Sequence, residues 1–197
     1  MLNLPKDPKA IRSRIRSYER SLRAEQQEYG YISDGYGKRY LLGALYLLMD
    51  DLDGALAHFA WFQKTFEDDS GDPMHLLCWA LALYRAGDLK GAERQLRRLM
   101  LANLYIVPYL LEKPLARLSI WHGSNLAEPG YASYIPSEVY RLWDDQARQW
   151  LQETYTAPEL ERIRARYIEI YAALLNEPVG PRRTQLVNEA FALRYGE

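Results

Sequence analysis

Asp51-Leu52-Asp53-Gly54-Ala55 returns 37 residues later as Asp88-Leu89-Lys90-Gly91-Ala92. Each copy follows an apolar helical run and opens another. That spacing is close to one helical hairpin of a stacked array. Arrays of this kind present surface to partners more often than they perform chemistry. The motif therefore speaks first about architecture.

Working outward, Lys38 to Met49 is a nearly continuous apolar helix, and Gly54 to Phe66 is its return, with Ala55, Phe59 and Phe62 on one face. Glu67 to Asp72 reads as a solvated acidic loop, with Asp72 and Pro73 starting the next helix. Met74 to Ala86 and Lys90 to Leu101 form the second hairpin, with Ala92, Leu96 and Leu99 inward. Ahead of the pair, residues 8–28 read as an amphipathic helix with Ile11, Ile15, Tyr18 and Leu22 on one stripe. Asp7 is its cap and Pro8 its first residue.

Beyond Asn103 the pattern weakens. A short helix is expected near Pro108, followed by an irregular stretch, 112–136, pinned by Leu115, Ile120, Trp121 and Tyr131. Three helices close the chain: Ser137 to Gln152, Glu159 to Leu175 and Arg183 to Tyr195. No pair of alternating runs flanks a hairpin turn, so the class is all-α. The expected division is one helical domain over 1–197: an N-terminal helix at 8–28, two hairpins over 36–102, a short helix and loop over 103–136, and a helical cap over 137–197.

In the two hairpins Leu42-Gly43 and Trp79-Ala80 correspond, as do Tyr46 and Leu83, Asp50 and Gly87, Leu52 and Leu89, Ala55 and Ala92, Phe59 and Leu96, and Phe62 and Leu99. This pattern resembles the tetratricopeptide repeat, a helix-turn-helix unit of about 34 residues. The resemblance covers residues 36–102 and implies a superhelix of antiparallel α-α hairpins, extended here by N- and C-terminal helices. The period is 37 rather than 34, and the surplus sits in the acidic loop 67–72. Small residues at 43, 55, 80 and 92 let paired helices approach closely. Gly43 is expected to face Ala55, and Ala80 to face Ala92.

The segment Asn103-Leu104-Tyr105-Ile106-Val107-Pro108-Tyr109-Leu110-Leu111 precedes a variable loop, Tyr131, and a helix ending in Ala147-x-x-Trp150-Leu151. It resembles a segment of little-characterised bacterial helical-repeat proteins, which implies a bacterial origin and no catalytic residue. Some of those proteins carry a metal-binding tail; the cysteines it needs are absent here.

The resemblance also implies a groove lined by the first helix of each unit: Tyr40, Ala44, Leu47 and Leu48, then Met74, Leu77, Leu81, Tyr84 and Arg85. It is apolar and aromatic with one cation, which suits a helical or extended apolar segment better than a carboxylate tail. The occupant is a protein partner or one of the chain's own terminal helices. Self-association is a further expectation, because array ends expose apolar surface unless capped.

Composition narrows the chemistry. The net charge is -1, which offers no bulk positive field for nucleic acid. Arg162, Arg164, Arg166, Arg182 and Arg183 with the N-terminal arginines leave only a weak nucleic-acid alternative. The single cysteine, Cys78, excludes an internal disulfide and points to a reducing compartment. No apolar run reaches membrane-spanning length, and Met1 to Lys6 turns polar too soon for a signal peptide. The cytoplasm is the expected location. Tyrosine, at 16 residues against 4 phenylalanines, suits wet helix packing or an interface equally.

No catalytic, cofactor-binding or metal-binding set is expected. His75 and Cys78 share a helix face, but zinc needs three or four ligands, so they read as packing. His58 reads as a partly exposed structural residue. The acidic runs 50–53, 67–72 and Asp144-Asp145 read as solvated. His122 lies in the irregular stretch, where binding residues concentrate. With Arg117, Trp121 and Tyr131 it defines an alternative ligand pocket under the 112–136 loop. The leading expectation is a non-enzymatic protein-interaction or scaffold module.

Overall fold

A computed structural model describes residues 2–196. Among them eleven α-helices and one short 3-10 turn occur, and no strand. In chain order the helices are α1 Pro8–Tyr29, α2 Lys38–Leu48, α3 Leu52–Thr65, α4 Pro73–Arg85, α5 Leu89–Ala102 and α6 Ile106–Leu110. After the 3-10 turn Asn125–Ala127 come α7 Pro129–Tyr134, α8 Ser137–Arg141, α9 Asp145–Tyr155, α10 Pro158–Ala173 and α11 Pro181–Tyr195. None is long and apolar enough to cross a membrane.

The residues group into two compact units, divided within α5. The first runs to Ala92 and recruits Ile135–Leu142. The second holds Glu93–Tyr134 and the residues from Trp143 onward.

In the first unit α2 packs on α1, α3 and α4, and α3 packs on α4. The repeated motif is a repeated turn. Asp50 and Gly87 both adopt positive φ, 56° and 80°. Asp50 N–H donates to Leu47 O, and Gly87 N–H to Tyr84 O, each at 3.0 Å. Asp51 N–H then reaches Tyr46 O, and Asp88 N–H reaches Leu83 O, again at 3.0 Å. These bonds satisfy carbonyls that the helix end leaves open. The aspartates next cap the returning helices: Gly54 N–H donates to Asp51 Oδ1 at 2.8 Å, and Gly91 N–H to Asp88 Oδ1 at 2.9 Å. A Cβ on Gly54 or Gly91 would lie 2.6 or 2.1 Å from the capping carboxylate. The motif is thus a glycine beneath a capping aspartate, twice.

Gly43 does admit a close approach, but its partner is Phe59, one turn beyond the expected Ala55. A Cβ at residue 43 would meet Phe59 Cζ at 2.4 Å and Cε1 at 2.6 Å. The ring takes the space because it also stacks on Trp79, with centroids 5.2 Å apart and planes within 5°. Ala55, Ala80 and Ala92 are fully buried.

The loop 67–72 departs from its solvated reading. Asp69 accepts from Arg39 Nε at 3.0 Å and from the Tyr40 hydroxyl at 2.7 Å. Asp72 caps α4, accepting from Met74 N–H at 2.8 Å. Glu67 and Asp68 alone of these carboxylates are exposed. Arg39 also meets Asp34, whose side chain is fully buried and which accepts from Lys38 N–H and Arg39 N–H at 2.9 and 2.8 Å. One arginine thereby ties the entry of α2 to the loop before α4.

Past the two repeated turns, two expectations change. The helix expected over Ser137 to Gln152 is broken at Leu142–Asp144. Asp144, read as solvated, is the cap that starts α9, accepting from Ala147 N–H at 2.9 Å. The irregular stretch contains the 3-10 turn and α7. Its anchor is Asn103, 1% exposed. Asn103 Nδ2 donates to Leu126 O at 2.7 Å and Glu128 O at 3.1 Å, while Oδ1 accepts from Tyr105 and Ile106 N–H. Ile120 is buried as expected, but Leu115 is exposed. Trp143 is core; Trp150 is half-buried and stacks on it at 6.4 Å.

Two substitutions check this account. Gly43→Ala gains about 1 kcal/mol of helix propensity but overpacks Phe59, a cost of about 1–3 kcal/mol. A net loss of about 1 kcal/mol is expected in urea unfolding, with the loss shrinking when Phe59→Leu opens room in the same chain. Asp50→Gly relieves a left-handed residue and should raise stability by about 1 kcal/mol in the same assay.

Candidate functional site

The first-helix groove expected from the repeat is not open. Ala44, Leu47, Met74, Leu77 and Leu81 are each at most 2% exposed. Tyr40, Leu48, Tyr84 and Arg85 are half-buried. The chain itself contributes here: α8 packs against α2, and Arg85 Nη2 donates to Leu142 O at 2.5 Å. Tyr40 is engaged with Asp69 and Arg39.

An open cleft lies instead in the first unit, where α1 and α3 diverge over α2. Its volume is about 500 Å³, within the range of small-ligand sites. Leu22, Ile32 and Leu42 supply apolar floor. Tyr46, His58 and Trp61 supply rings, and Glu19, Arg23, Gln26 and Gln27 supply a polar margin. Helical periodicity explains the set: Glu19, Leu22, Arg23 and Gln26 recur at three- and four-residue steps along one edge of α1. Gly54, Ala57, His58, Trp61 and Thr65 do the same along α3. Gly54 matters because a Cβ there would meet Tyr46 Cδ1 at 2.6 Å. Its absence lets the Tyr46 ring lie against α3.

Glu19, Arg23 and Tyr46 of the cleft pair with one another. Tyr46 hydroxyl donates to Glu19 Oε1 at 2.5 Å, and Arg23 Nη2 donates to Glu19 Oε2 at 3.3 Å. Burial, with the Glu19 carboxylate beside it, raises the Tyr46 hydroxyl above its usual pKa. His58 is 7% exposed, not partly exposed as the sequence suggested. Its Nε2–H donates to Arg39 O at 2.8 Å. That bond fixes the neutral tautomer with the proton on Nε2. Burial pushes its pKa down to about 4. The His58 ring lies 5.5 Å from that of Trp61.

His75, on α4, is fully buried among Tyr40, Phe59, Phe62 and Trp79. Burial raises the pKa of the neighbouring Cys78 thiol above its usual value. Among the described residues no three His, Cys, Asp or Glu side chains converge as a metal site.

The four residues of the alternative pocket have separate neighbours in the second unit. His122 Nε2 meets the Tyr105 hydroxyl at 3.1 Å. Trp121 stacks on Tyr171 at 5.8 Å, beneath the Arg183 guanidinium at 5.0 Å. Tyr131 sits beside Tyr134, and Arg117 is exposed. A second hollow in this unit, about 570 Å³, is polar and is lined by Glu112, Asp145, Arg148 and Glu153 among others. The apolar, ring-lined cleft of the first unit is the better binding candidate.

No family model matches the chain, and no curated protein or solved structure matches it.

Sequence reasoning missed the cleft. Its sequence signal is the recurrence of Glu19, Leu22, Arg23 and Gln26 at three- and four-residue steps, which marks one edge of α1 but no gap beside it.

His58 makes a pH prediction. Its folded pKa is about 4 against an ordinary 6.5. The unfolded chain therefore takes up a proton first as pH falls. His58 contributes stability that is complete above pH 6.5 and is lost as pH falls toward 4. The loss amounts to about 3 kcal/mol. Urea unfolding across this window should show a shallower decline in His58→Gln than in the parent chain.

Proposed function

We propose that the protein is a non-enzymatic interaction or scaffold module, built on tetratricopeptide-like hairpins and meeting its partner at the α1–α3 cleft. The observation that carries this reading is the cleft itself. It is the apolar, ring-lined hollow of the first unit, while the first-helix groove is occupied from within. The repeated turns at Asp50 and Gly87, the repeated caps at Asp51 and Asp88, and the packing of α2 on α3 and α4 support the hairpin reading. The end of α1 and the α1–α2 connection add Tyr29, Tyr31 and Tyr36, which are 57%, 64% and 88% exposed. Exposed aromatic side chains are enriched in protein interfaces. The lone cysteine favours a reducing compartment such as the cytoplasm.

A photo-reactive phenylalanine analogue at Ala57, an exposed residue of the cleft, tests the reading. In the cells that make the protein it should give one discrete heavier adduct. The same analogue at exposed Lys9 on α1, outside the cleft, should not. Equal or absent adducts at both positions would remove the cleft as the partner site.

A further inference from the structure

The lining of the α1–α3 cleft specifies more than a generic apolar contact. Its two formal charges cancel locally, because the Glu19 carboxylate holds Arg23 on one oxygen and the Tyr46 hydroxyl on the other. His58 adds no charge at neutral pH, because its burial disfavours the imidazolium form. The nearest walls are rings: Tyr46, His58 and the half-exposed Trp61. The floor is Leu22 and Leu42, each 2% exposed.

A charged group entering this space would give up hydration and meet no unmatched counter-charge. An uncharged ring would lose little water and could lie edge-on or offset against Trp61. Rings of this kind are the usual anchors of protein interfaces.

Building on the interaction-module reading, we infer that the cleft takes one uncharged aromatic side chain, presented as the anchor of a partner's apolar segment. The ring sits between the Trp61 and His58 wall on α3 and the Leu22 edge of α1. The Glu19–Arg23 pair sets the charge at the margin, each partner offsetting the other.

Three indoles of equal ring and different charge test this: N-acetyl-tryptophanamide, tryptamine and indole-3-acetate. Binding is followed by methyl and imidazole NMR shifts of Leu22, Ile32 and His58 in the full chain. The neutral compound should give saturable shifts in the cleft. The cation and the anion should bind about tenfold more weakly. Arg23→Gln, at a side chain 74% exposed, should leave the fold intact and turn the preference toward tryptamine, because Glu19 loses its counter-charge. Equal affinity for all three indoles, or no saturable shift with any of them, would overturn the inference. If the adduct at residue 57 nevertheless forms, the interaction module stands and only its anchor is wrong. If the neutral indole binds and no adduct forms, both the partner and its anchor give way to a free small molecule.

Discussion

Helix α2 is held between its neighbours by an absence of matter. With no side chain at residue 43, the Phe59 ring presses against the α2 backbone, where a Cβ would stand 2.4 Å from Cζ. From that seat the ring stacks on Trp79 of α4 and lies edge-on to His75. One glycine thus couples three helices. Dense packing of this kind does not deform gradually. The positions of α3 and α4 over α2, and hence the floor of the cleft, follow from it.

A polar clamp completes what the ring begins. Arg39 reaches Asp34 at the entry of α2 and Asp69 in the loop before α4, and Tyr40 shares Asp69. Asp34 takes a positive φ of 42° to do so, a conformation aspartate tolerates better than most residues. Its amide in turn donates to Glu25 of α1 at 2.8 Å. The buried carboxylate of Asp34 is tolerable because two backbone amides and a guanidinium satisfy it. Removing any partner would strand a charge in the interior, so the clamp holds the α1–α2 connection in one geometry. That connection carries Ile32 into the cleft and Tyr31 and Tyr36 to the surface.

The cleft is then a product of divergence rather than of a dedicated loop. α1 and α3 both rest on α2, and the gap between them is lined by whichever residues face it. Its chemistry is conservative: one ion pair, one buried histidine and two further rings, Tyr46 and Trp61. The proposed binding role rests on this lining of rings, apolar floor and offset charges.

Much of the fold was legible in the chain. Apolar periodicity placed the helices, aspartate–glycine spacing marked both hairpin turns, and proline with aspartate marked the starts of α1 and α4. These signals are local, so a single segment carries them. Three things were not legible, and two of them depend on residues far apart in sequence. Asp144 looked like a solvated carboxylate until its position before Ala147 made it a cap that broke a helix. Asp69 looked exposed until Arg39, 30 residues earlier, was brought beside it. The cleft was invisible because Glu19, Tyr46 and His58 belong to three helices. Sequence determined which segments are helical and which faces are apolar, since those follow from side-chain spacing along one backbone. Only tertiary packing decided which apolar face was covered and which gap stayed open, because that choice rests on the volumes of side chains meeting across helices.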